Sequence, residues 1–167
     1  YTRRKPHALE VNDLLASIGS DKKVNIFNVH SENTVKALLD STAPQAAMID
    51  SQQLMQVLSE IFADPKQAVE KRSIYLDKGL NHPGETVRAA MVASLNESRN
   101  ATNEGETFNA FMSRFGGEEE SSVLKALELP LVDMVTEENA WQFEETISNP
   151  KPDVRRTGIR VLNKFFN

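Results

Sequence analysis

A chain of 167 residues, 40% apolar and 26% charged, is long enough for one domain with a real core and short for two. The absence of cysteine excludes disulfide stapling, thiol chemistry and cysteine-based zinc sites together. The net charge of −5 is segregated: residues 1–96 are balanced with 11 basic and 11 acidic groups, residues 97–145 net −9, and residues 146–167 net +4. An acidic waist beside a basic last helix can steer a charged partner, and it can equally be a set of solvated helix faces.

No run of about 18 apolar residues occurs, so no membrane span is expected. The basic start, Tyr1-Thr-Arg-Arg-Lys-Pro6, leads into Leu9-Glu-Val-Asn-Asp13, which is too polar for a signal-peptide core, and cytoplasmic residence is the default expectation.

Apolar residues recur at helical spacing along most of the chain. The first stripe is Leu9, Leu14, Leu15 and Ile18, closed by Gly19. Val24-Asn-Ile-Phe-Asn-Val29 alternates, but no second strand pairs with it, and it reads as helix or turn. A short helix is expected from Ser31 to Leu39, ending before Pro44. Asp50-Ser-Gln-Gln53 has an acidic cap with Gln three residues on, and Leu54, Met55, Leu58, Ile61 and Phe62 give the helix behind it one apolar face.

Asp64-Pro-Lys-Gln67 repeats the start signal, with Pro at the first helical position. Its helix carries Val69, Leu76 and Leu80 and stops at Asn81-His-Pro-Gly84. Phe108, Phe111, Met112 and Phe115 mark a further helix, terminated by Gly116-Gly117. Val123-Leu-Lys-Ala-Leu127 follows and is interrupted by Pro130. Thr136-Glu-Glu-Asn139 caps a helix bearing Ala140, Trp141 and Ile147, with Trp141 read as core, and Asn149-Pro-Lys-Pro152-Asp153 breaks it before the last helix. Short helices on short linkers predict an all-α chain of antiparallel helical hairpins packed side by side.

Two segments match when superposed. Asn81-His-Pro-Gly-Glu-Thr-Val87-Arg88 continues through Met91, Ser94 and Leu95, and Asn149-Pro-Lys-Pro-Asp-Val154-Arg155 continues through Gly158, Val161 and Leu162. Each has a Pro-containing turn, Val-Arg, and then residues four, seven and eight beyond the valine. Those offsets place Val154, Gly158, Val161, Leu162 and Phe165 on one stripe, with Arg155, Arg156, Arg160 and Lys164 opposite. The small residue on the stripe lets a neighbouring helix approach closely.

The pattern resembles the second helix of a HEAT repeat, fully at Pro152-Asp153-Val154-Arg155-Gly158-Val161-Leu162 and partly at Pro83-Val87-Arg88-Leu95, where Met91 replaces the usual small residue. Between them Val123 marks a degenerate unit. The resemblance covers residues 66–167 and implies a short stacked HEAT-like array there, within a single helical domain spanning 1–167 whose first 65 residues are helical but show no repeat. It also implies that Asp153 caps its helix and that Arg155 bridges to a neighbouring unit.

No chemistry-bearing constellation accompanies this architecture. His7, His30 and His82 are far apart, and none has a metal-ligand spacing with carboxylates. Glu118-Glu-Glu120 precedes a helix, where negative charge complements the helix dipole. There is no Gly-rich phosphate loop and no Gly-x-Ser-x-Gly elbow. No enzyme activity, cofactor or metal is therefore expected.

The reading is a non-catalytic protein–protein interaction module or adaptor, contacting another protein through Lys151, Arg155, Arg156, Arg160 and Lys164. HEAT-like folds also include DNA glycosylases that cradle a duplex in a basic groove. The alternative is therefore nucleic-acid binding by the same basic helix with Arg3-Arg4-Lys5, which the acidic middle segment opposes.

Overall fold

The computed structural model describes residues 29–40 and 49–166. The expected first stripe ending at Gly19, the Val24–Asn28 stretch and Arg3-Arg4-Lys5 lie outside the described residues. Among the described residues the chain is all-α, with no strand, and no helix is long and apolar enough to cross a membrane.

The helices are α1 (Glu32–Asp40), α2 (Ser51–Phe62), α3 (Pro65–Ile74), α4 (Glu85–Glu97), α5 (Glu104–Gly117), α6 (Ser121–Met134) and α7 (Pro152–Phe166). A π-helical turn, Tyr75–Gly79, extends α3, and two 3-10 turns, Ala140–Phe143 and Glu145–Ser148, stand between α6 and α7. The helices fall into two compact units that meet in sequence at Ser98 and Arg99. The division expected at 65/66 lies inside the first.

In the first unit the start signals work as written in the sequence. Asp50 accepts the N–H of Gln52 and Gln53 at 3.0 and 3.3 Å, and Asp64 accepts that of Lys66 at 3.0 Å ahead of Pro65. These bonds satisfy donors that a helix N-terminus leaves without partners. Helix α2 packs against α1, α3 and α4, burying Leu54 and Leu58 with Leu38, Leu80, Met91 and Leu95. Lys71 pairs with Glu32 and Lys78 with Asp40, at sequence separations of 39 and 38. Two bridges at nearly the same separation mean that α1 runs beside α3 and its π-helical extension in the same direction.

The expected stripe of α3 is corrected at Val69, which is 77% exposed. The buried stripe is Arg72, Tyr75, Leu76, Gly79 and Leu80. Arg72 takes a core position because its guanidinium donates to the Leu95 carbonyl and the Ser98 hydroxyl and lies 5.8 Å above the Phe62 ring.

In the second unit, Phe143 packs edge-on to Phe108 at 6.1 Å and beside Phe115 at 6.4 Å between ring centroids. Val123, Leu127, Val154 and Val161 are fully buried with them. Pro130 does not interrupt α6, which runs on to Met134. A proline inside a helix costs about 3 kcal/mol. This one lies one turn from the end, on a stripe where Leu127, Pro130, Leu131 and Met134 are all buried, and each apolar side chain there contributes about 1.5–3 kcal/mol.

The expected helix around Trp141 is replaced by the two 3-10 turns. Thr136 and Asn139 still bond reciprocally ahead of it, with Thr136 N–H to Asn139 Oδ1 at 2.7 Å and Asn139 N–H to Thr136 Oγ1 at 3.3 Å. Three residues per turn then bury Ala140 and Phe143 and turn Trp141 outward, 65% exposed, which corrects its reading as core.

Helix α7 buries Val154, Gly158, Val161 and Leu162 along the expected stripe. It packs against α6 and both 3-10 turns. At Gly158 the approach is so close that an added Cβ would lie 2.9 Å from Thr146 Cβ.

Candidate functional site

One local device recurs ahead of α4, α6 and α7. Three residues before each helix stands a side chain that accepts the backbone N–H two residues on. His82 Nδ1 takes Gly84 N–H at 2.9 Å, Glu118 Oε2 takes Glu120 N–H at 3.0 Å, and Asn149 Oδ1 takes Lys151 N–H at 2.9 Å. Five residues after each of these comes a fully buried valine, Val87, Val123 and Val154. In the first and third turns the next residue is an arginine that folds back. Arg88 donates to the His82 carbonyl at 2.7 Å and Arg155 to the Asn149 carbonyl at 2.8 Å.

The aligned segments are thus alike in hydrogen bonding as well as in sequence. Arg155 closes its own turn, and this bond takes the place of the expected bridge to a neighbouring unit. Asp153 does not cap α7: its carboxylate accepts Ser121 Oγ at 3.0 Å and pairs with Arg156, and these bonds hold it below the usual carboxylate range.

The five cations expected to bind a partner do lie together along α7, and the structure assigns each a contact. Lys151 reaches the Glu118 carbonyl at 3.2 Å and the Glu119 carboxylate at 3.1 Å, Arg160 bonds Glu128 at 2.8 Å, and Lys164 bonds the Val132 carbonyl. The links Glu119–Lys151, Ser121–Asp153, Glu128–Arg160 and Val132–Lys164 all span 32 residues. A constant separation along both helices makes α6 and α7 side-by-side neighbours running in one direction. Arg156 and Arg160 keep 67% and 68% of their side chains exposed and border a shallow groove of about 180 Å³ between the two helices.

A second concavity, which the sequence reading missed, opens on another side of α7. It is a groove of about 490 Å³ between the 3-10 turns and α7, with Trp141, Ile147 and Ile159 on its walls and Glu137 and Glu144 at its edge. Ile147 and Ile159 are 43% and 44% exposed. The signal that could have found it is Ile159, which falls off the buried stripe of an otherwise amphipathic helix.

Two further titratable side chains, His82 and Glu118, are buried in the turns ahead of α4 and α6. His82 is buried, with Nδ1 accepting from Gly84 and Nε2 donating to the Leu38 carbonyl at 2.8 Å. Burial holds its imidazole below the usual histidine range, the bond to Leu38 opposes this, and Arg88 adds to the depression. Glu118 is 1% exposed, its carboxylate taken up by two backbone N–H groups and by Arg114 Nε at 3.2 Å. No group of three or more potential metal ligands occurs among the described residues. Comparison with protein-family models, with curated proteins and with solved structures finds no match to this chain.

Proposed function

We propose that this chain is a non-catalytic protein-binding module whose helices form a short HEAT-like array. The observation that carries the reading is the recurrence of one turn at His82, Glu118 and Asn149, each followed by a buried valine. The common separation of 32 residues between α6 and α7 supports it, since repeats that stack bring equivalent helices together in the same direction. Such stacks present long helix faces on which a partner protein can lie.

On the α7 face, Arg156 and Arg160 are the exposed cations that border the groove beside α6 and take the partner, with Lys151, Arg155 and Lys164 setting its edge. The nucleic-acid reading is less favoured, because Lys151 and Arg160 already meet glutamates and a phosphate backbone would approach those acids as well.

Two measurements test this reading. Affinity capture with the full chain should lose its specific partner on Arg156→Glu with Arg160→Glu, while far-UV circular dichroism stays unchanged; undiminished capture sinks the surface. Fluorescence anisotropy with labelled duplex and single-stranded DNA should show no binding at low salt. Salt-sensitive DNA binding that disappears in the same double variant would replace the module reading with the nucleic-acid one.

A further inference from the structure

We propose that the groove between the 3-10 turns and α7 docks a positively charged amphipathic segment of a partner protein, with apolar side chains against Trp141, Ile147 and Ile159 and Lys or Arg side chains against Glu137 and Glu144. This rests on the protein-binding reading and adds a second contact surface to it.

The apolar component comes from the backbone. The 3-10 turns commit Ala140 and Phe143 to the core and leave the indole of Trp141 outside. Ile147 and Ile159 face the same space from the second turn and from α7, over buried Ala140 and Leu162. Three large apolar side chains left in water around one concavity are an unused source of binding free energy, about 25 cal/mol for each Å² covered. Tryptophan is also among the residues most often found to dominate binding interfaces. A groove of 490 Å³ has room for one or two anchoring side chains, as an amphipathic helix presents at one-turn spacing.

Charge selects among occupants. Glu137, Glu138, Glu144 and Glu145 are all exposed on the same short segment, and none of their carboxylates has an ion-pair partner among the described residues. They contribute to the −9 of residues 97–145. An acidic edge repels nucleic acid and anionic lipid headgroups. It also opposes a two-fold contact with a second copy, which would set these carboxylates against their own counterparts. A segment bearing Lys or Arg beside its apolar anchors satisfies both the floor and the edge, and a guanidinium can in addition lie over the indole face.

The test is selection from a phage-displayed library of random linear peptides on the full chain, followed by titration of synthetic copies of the enriched peptides. Trp141 is the chain's one tryptophan, so its emission reports occupancy of the groove directly. The enriched peptides should carry aromatic or aliphatic residues one helical turn apart flanked by Lys or Arg. Binding should shift Trp141 emission to the blue and weaken with salt. Trp141→Ala, and separately Glu137→Lys with Glu144→Lys, should each reduce affinity by about tenfold or more with the thermal melt unchanged.

The proposal is overturned if no peptide is enriched, if the enriched peptides lack basic residues, or if they bind the Trp141→Ala chain as well as the parent. Self-association abolished by Trp141→Ala would overturn it too, by making a second copy the occupant. Peptides that lose binding on Arg156→Glu with Arg160→Glu but not on Trp141→Ala overturn the groove and leave the protein-binding reading standing.

Discussion

Gly158→Ala tests the packing of the second unit through the sign of its effect. Gly158 lies inside α7, where helix propensity alone makes alanine the better residue by about 1 kcal/mol. The structure opposes that gain. The new Cβ would stand 2.9 Å from Thr146 Cβ, against the 3.5–4.0 Å at which carbon atoms pack, and would crowd Thr146 Oγ1 more severely. Thr146 cannot easily turn aside, because it is buried and its hydroxyl donates to the Phe143 carbonyl at 2.6 Å.

Relief therefore requires α7 to move from the second 3-10 turn, or the loss of that hydrogen bond. Overpacking costs about 1–3 kcal/mol and the lost bond about 1 kcal/mol. Set against the propensity gain, overpacking alone leaves about 0–2 kcal/mol of destabilisation, and loss of the bond as well raises this to about 1–3 kcal/mol, with a melting point lower by roughly 4–8 °C for each kcal/mol in a unit of this size. Urea and thermal unfolding followed by far-UV circular dichroism and by Trp141 emission give both quantities. In a Thr146→Ala background the same substitution should cost less, since the hydroxyl is gone while the Cβ remains. A Gly158→Ala chain more stable than the parent would refute the close approach.

Three further outcomes follow from the geometry. Burial, with Arg88 adding and the bond to the Leu38 carbonyl opposing, holds the His82 imidazole neutral in the folded chain and its pKa below the ordinary 6.5. Between the two values the unfolded chain binds more protons. This contribution to stability is complete above the unfolded pKa and is lost as pH falls through it towards the folded value. Urea midpoints should decline over that window, and His82→Asn, which places at this turn the residue found at Asn149, should flatten the decline; an unchanged slope refutes the assignment to His82.

Tyr75 is buried with no hydrogen-bond partner for its hydroxyl among the described residues, and burial, with Glu32 adding, pushes its pKa up to about 12. Tyr75→Phe should raise stability by up to about 1 kcal/mol in denaturant titrations, and a loss of similar size would show that the hydroxyl is satisfied. Arg155→Met should lower stability by about 1 kcal/mol through the opened turn, while Arg156→Met on the exposed face should leave the melt unchanged. Equal effects would mean that the turn contact is not stabilising.

Much of the fold was legible locally. Asp50 and Asp64 were readable as helix starts because a cap is a contact between residues two or three apart, and sequence records that spacing directly. The Val-Arg turns were readable for the same reason, although their hydrogen bonds were not. The five basic residues of α7 were found as a face, but what they touch was not, because their partners stand 32 residues away on α6. Of the apolar groove only Ile159, off the buried stripe, was legible, because the period of a hydrophobic stripe does not say whether a second element covers the residues beside it.

What the sequence determined by itself is the all-α class, the places where most helices start and stop, and the stripe of α7 with its glycine. These depend on interactions within a few residues, where propensity and capping are settled. Only the tertiary structure decided that Arg72 is buried and Val69 exposed, that Pro130 stays inside α6, and that Trp141 faces solvent from a 3-10 turn. Each of these outcomes sets a local preference against contacts from residues distant in the chain. The Leu95 carbonyl, the core stripe of α6 and the Phe108–Phe115–Phe143 cluster decided them.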